Sequence, residues 1–129
     1  MRFCDTYTIP MDGRSIRVAK VKVPEKAVLS QIIHYLKLKK CLVYRMNTGA
    51  SVSEYKGKKR LIRFGVQGMA DVLAFTKDST LWIEAKASTG GKQSEAQKAF
   101  QKEVEAFGHI YILANSVDAV MDMFEGRGY

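Results

Sequence analysis

Residues 71–76 and 81–86 form two short, largely apolar runs on either side of Lys77-Asp78-Ser79-Thr80. Polar turn residues between two such runs predict a tight β-hairpin. Side chains alternate across a strand, so Trp82, Glu84 and Lys86 share one face, and Asp71, Leu73 and Phe75 share one face of the partner. A two-residue loop at Lys77-Asp78 sets Asp71 opposite Glu84, whereas a four-residue loop sets it opposite Lys86. Either register gathers two carboxylates and an ammonium on a face that also carries Leu73, Phe75 and Trp82. Charged strand residues usually mark a solvated face, but these apolar neighbours predict a half-buried one. Asp beside Glu is unfavourable there, through like-charge repulsion and desolvation. A divalent cation resolves the conflict, and paired carboxylates completed by water and phosphate oxygens are a common Mg²⁺ site.

The rest of the chain predicts one α/β domain over residues 1–129, a mixed central β-sheet flanked by helices. Residues 3–9 and 15–23 alternate loosely around Met11-Asp12-Gly13, so residues 1–23 read as an amino-terminal β-hairpin extension. Pro24 ends its second strand and opens a helix over 25–39, whose Val28, Leu29, Ile32, Ile33 and Leu36 form a buried stripe. Leu42-Val43-Tyr44 reads as a strand, and the basic, glycine-punctuated residues 50–66 as a hairpin or a mobile loop. Ser94-Glu95-Ala96-Gln97 has capping-box form and starts a second helix with Ala96, Phe100, Val104 and Phe107 inward. A buried strand over 109–113 and a short helix over 117–124 follow.

Charge narrows the function. The 129 residues carry 21 Lys and Arg against 13 Asp and Glu, a net +8 that favours a polyanionic partner. Residues 1–66 hold 15 basic and 4 acidic side chains, and residues 67–129 hold 6 and 9. A basic half suggests a surface for phosphates, with Lys58, Lys59, Arg60 and Arg63 as candidate contacts in the 50–66 segment; a solvated turn is the plain alternative. No apolar stretch is long enough for a membrane span, and the amino terminus does not lead into a signal-peptide core, so a cytoplasmic location without a membrane partner is expected. Cys4 and Cys41 lack metal-ligand spacing and read as small buried hydrophobes.

Four further residues have plain structural readings. Glu25 starts on the buried stripe and aims towards the sheet, yet an acid there is also favoured by the helix dipole. Gln97 belongs to the capping box and needs no other duty. His34 and His109 stand alone, which points to core or surface roles.

Glu25, Arg45-Met46-Asn47-Thr48-Gly49, Gly65-Val66-Gln67-Gly68-Met69-Ala70-Asp71, Trp82-Ile83-Glu84-Ala85-Lys86 and Ser94-Glu95-Ala96-Gln97-Lys98-Ala99-Phe100 resemble, in order, the virus-type replication-repair nuclease (VRR-NUC) domain. That domain is a branch of the PD-(D/E)XK nuclease superfamily, and the likeness runs from about residue 25 to about 118. The resemblance implies a restriction-endonuclease-like core and Mg²⁺ or Mn²⁺ bound by Asp71 and Glu84. The carbonyl of Ala85 would be a further ligand, with Glu25 contributing directly or through water. Lys86 would position and polarise the attacking water, beside an active-site Gln97, while Arg45 and Asn47 would either touch DNA or brace the fold. Stand-alone phage members are similar to Holliday-junction resolvases, which implies a homodimeric DNA endonuclease selective for branched DNA. Cutting of flaps or linear ends, and a non-catalytic nucleic-acid-binding module, are the alternatives.

Overall fold

The computed structural model describes residues 6–19, 21–46 and 49–127. Its centre is a four-stranded mixed sheet. β3 (Leu42–Arg45), β6 (Val72–Phe75) and β7 (Thr80–Ala85) run antiparallel, and β8 (Ile110–Ala114) lies parallel to β7, in the order β3-β6-β7-β8. A parallel neighbour requires a crossover, and α2 (Glu95–Ala106) supplies it. Helices α1 (Glu25–Leu38) and α3 (Val117–Arg127) pack on the opposite face. Two separate two-stranded hairpins complete the chain: β1 (Thr6–Met11) with β2 (Arg14–Ala19), and β4 (Gly49–Tyr55) with β5 (Lys58–Phe64). Segment 50–66 is therefore a hairpin. No helix among the described residues is long and apolar enough to cross a membrane.

The main core follows from two periodicities meeting. Val28, Ile32 and Leu36 repeat every four residues on α1, and Val72, Ala74, Leu81, Ile83 and Ala85 alternate along β6 and β7; all are 0–1% exposed. Val120 and Phe124 of α3 close this layer, with Tyr35 meeting Phe124 edge-to-face at 5.6 Å. Side chains of this size stabilise by about 1.5–3 kcal/mol each when fully buried. A smaller cluster of Ala70, Val104 and Tyr111, with Trp82 and Phe100, joins α2 to the other face.

Three expectations differ from the structure. The strand expected to be buried over 109–113 runs from Ile110 to Ala114 and leaves Leu113 44% exposed. The second amino-terminal strand ends at Ala19, well short of Val23. Val23 has other partners: its N–H donates to Ser88 Oγ at 2.8 Å and its carbonyl accepts from Ser88 N at 3.0 Å. Phe107, expected inward, is 82% exposed. The helix ends at Ala106, and Phe107 caps it before Gly108 turns the chain at φ 81° towards β8, so the helical spacing no longer governs its direction. Cys41 is a free thiol, half-buried against the main core, and Cys4 lies outside the described residues. His34 and His109 are both at the surface.

Candidate metal centre

The hairpin register decides which groups meet. Val72 pairs with Ile83 and Leu73 with Trp82, and Thr76 N donates to Ser79 O at 2.9 Å. The connection is thus the two-residue loop Lys77-Asp78, and one step further along the ladder Asp71 comes opposite Glu84. Asp71 is fixed twice: its carbonyl accepts from Met46 N at 2.8 Å, and its Oδ2 accepts from Ala85 N at 2.9 Å. Ala85 itself is fully buried.

Glu25 arrives from the other layer. Pro24, extended at φ −67°, ψ 154°, occupies the N-cap without a side-chain cap, and Glu25 is the first helical residue. The two Val23–Ser88 hydrogen bonds tie the approach to α1 onto the loop that follows β7. One carboxylate oxygen each from Glu25, Asp71 and Glu84 then lies within 4.8 Å of the others. The dipole reading of Glu25 still holds, but its side chain also reaches the other two acids.

Glu84 is the unusual member. It is 2% exposed, and among the described residues its Oε2 is a buried oxygen with no hydrogen-bond partner. Its Oε1 accepts from Gln97 Nε2 at 2.7 Å and lies 3.6 Å from Lys86 Nζ. Burial above all, and next the neighbouring Asp71 charge, push the Glu84 carboxyl up to about 7, against the opposing pull of Lys86. Buried polar atoms are satisfied with few exceptions, and a buried carboxylate oxygen beside two further carboxylates is one that a cation, or a proton shared with Asp71, could satisfy. Three carboxylates with exposure graded from Glu25 outside to Glu84 inside form an oxygen donor set suited to a hard divalent ion, Mg²⁺ or Mn²⁺.

Gln97 performs two tasks at once. Ser94 Oγ accepts from Gln97 N at 3.2 Å and Gln97 Oε1 accepts from Ser94 N at 2.8 Å, which completes the capping box. The same Oε1 accepts from Lys86 Nζ at 2.9 Å while Nε2 holds Glu84. The first turn of α2 therefore orients the ammonium and the buried carboxylate together. Its close approach depends on Gly68, whose φ is 81° and where a Cβ would collide with the Ala96 carbonyl.

Arg45 is exposed at the end of β3, opposite Val72, and lines a groove with Lys26, Ser30 and Ile33 beside α1. Lys58, Lys59 and Arg60 are exposed on the β4–β5 hairpin. Asn47 and the side chain of Arg63 lie outside the described residues. Ser88 is the residue that sequence reasoning passes over; a lone serine has no periodicity to expose it. Gly68 stands in a motif block, but only its contact with α2 gives it a role. Comparison of the chain with protein-family models, with curated proteins and with solved structures finds no match in any of the three.

Proposed function

We propose that the chain is a metal-dependent DNA endonuclease with a PD-(D/E)XK core, similar to the VRR-NUC domain, which acts as a homodimer on branched DNA such as four-way junctions. The observation that carries this reading is the buried, half-satisfied Glu84 facing Asp71 and Glu25, with Lys86 and Gln97 locked onto its other oxygen. Asp71, Glu84 and Glu25, with the Ala85 carbonyl, would hold Mg²⁺ or Mn²⁺. Such an ion would supply a lowered pKa for a bound water and positive charge against the phosphate.

The chain's own groups account for the rest. Lys86, held 2.9 Å from Gln97 Oε1, presents a fixed ammonium where charge grows on the attacked phosphate and aligns the attacking water. Gln97 keeps Lys86 and Glu84 in mutual register, so neither must reorganise during the reaction. Arg45 and Lys26, which line one groove beside α1, would contact phosphates, as would Lys58, Lys59 and Arg60. A two-fold pair of chains offers two such centres to the symmetric strands of a junction.

The test incubates labelled four-way, flap and linear DNA with the protein and Mg²⁺, Mn²⁺ or chelator, beside Lys86→Ala. Metal-dependent cutting of the four-way substrate, lowered at least about 100-fold by the substitution, is expected. Binding without metal-dependent cutting would leave only a nucleic-acid-binding module. A strictly monomeric particle that cuts linear duplex equally well would refute the junction-selective dimer.

A further inference from the structure

The β4–β5 hairpin carries its charges unevenly. Register places Ser53 opposite Arg60 and Tyr55 opposite Lys58 on one face, and Val52 opposite Leu61 and Glu54 opposite Lys59 on the other. A groove of about 530 Å³ along the first face is lined by Ser53, Tyr55, Lys58, Arg60 and Ile62, together with Lys59 from the other face. At its tip Lys56 and Gly57 both have positive φ, 50° and 73°, the two-residue turn that keeps strand twist. Tyr55 stands at the end of this groove, 73% exposed, with Lys56 Nζ 5.4 Å from its ring centroid.

An isolated two-stranded hairpin is only marginally stable in water, and Tyr55, 73% exposed, leaves most of its ring uncovered by the hairpin's own packing. A cation over one ring face and a basic groove leading away from it match a different task. Phosphates fit the Lys58 and Arg60 side, and the ring offers a flat surface to an unpaired base. A duplex keeps its bases stacked on one another, so such a platform distinguishes DNA with splayed bases.

We infer that Tyr55, with Lys58 and Arg60, is a binding site for unpaired nucleotides of DNA, the ring stacking on a base while the two cations hold its backbone. This rests on the nucleic-acid part of the proposed function and not on its metal chemistry. It places the selectivity for branched substrates at the hairpin tip.

The test measures binding in chelator, where no cutting occurs, of single-stranded oligo-dT, a forked DNA with an unpaired 2-aminopurine at the branch, and matched linear duplex. Tyr55→Ala is expected to weaken the single-stranded and forked ligands about 5- to 100-fold and the duplex by less than 3-fold. Tyr55→Phe, which keeps the ring, retains wild-type binding. The 2-aminopurine emission falls on binding wild-type protein and does not fall with Tyr55→Ala. A loss under 3-fold on unpaired DNA, or an equal loss on duplex, overturns the assignment. The two readings separate cleanly: Tyr55-dependent binding by a protein that cuts nothing keeps the hairpin site and ends the nuclease. Metal-dependent cutting with unchanged Tyr55→Ala binding does the reverse.

Discussion

On one face of the central sheet Val72, Ala74, Leu81 and Ile83 are fully buried beneath α1 and α3. On the other, Leu73, Phe75 and Trp82 are only half-covered, and Glu84 alone reaches the same depth. Both sets come from the same two strands by simple alternation. The first face is filled by apolar side chains whose burial favours folding. The second buries a charge that opposes folding, and α2 covers it only as far as Trp82 and Phe100, which meet edge-to-face at 5.1 Å. Beyond that, Tyr44 and Phe75 face each other at 6.4 Å with much of their surface in solvent. The larger apolar core therefore lies on one face and Asp71 and Glu84 on the other, with Glu25 reaching them from the end of α1, and a substitution should reveal which face it strikes.

The largest effect belongs to the closed face. Ile32→Ala removes a side chain with 0% exposure from the middle of the core, and a cost of about 2–5 kcal/mol in unfolding free energy is expected from denaturant titration. Metal affinity per folded molecule should stay within about 2-fold. A large drop in metal affinity with intact folding would mean that the two faces are not independent.

The acidic face should behave in the opposite sense. Glu84 titrates at about 7 in the folded chain against an ordinary value of 4.5. Between those values the folded state keeps a proton that the unfolded state has lost, so stability falls as pH rises through this window. The contribution is present below about pH 4.5 and is lost as pH rises through about 7. Thermal melts of metal-free wild-type and Glu84→Gln at pH 5 and pH 8 check this. The variant should lack that part of the slope and exceed wild-type stability at pH 8, while losing Mn²⁺ binding by calorimetry. Identical slopes in the two proteins would remove Glu84 as the source.

The contrast between the faces also explains what was legible in the sequence. Helix α1 and the hairpin at Lys77-Asp78 depend on local periodicity and turn chemistry, and the two-residue register was one of two that the loop allowed. Convergence of Asp71 and Glu84 follows from that register. Glu25 is different: its meeting with them depends on how α1 docks, which the Val23–Ser88 pair governs across 65 positions of sequence. A contact of that range leaves no pattern in either segment. Phe107 misleads for the complementary reason, since apolar spacing continues one position past the last residue of α2. The orphaned Glu84 oxygen is legible only in part, because alternation predicts the face and not how completely α2 and its neighbours close over it.

Gln97 offers the smallest and most exacting test, because the capping box and the acidic face share this one side chain. Ser94→Ala removes the hydroxyl that accepts from Gln97 N, and loss of such a cap costs about 1 kcal/mol. The backbone N–H of residue 94 survives the substitution and still donates to Gln97 Oε1, so the amide keeps its tether, and with it the contacts to Lys86 and Glu84. The variant should therefore melt at lower denaturant while cutting DNA within about 3-fold of wild type per folded molecule. Gln97→Ala loses the tether and both contacts together and should reduce cutting far more than stability. A Ser94→Ala protein with cutting reduced tenfold or more would show that the hydroxyl, and not the backbone amide, holds Gln97 against the buried carboxylate.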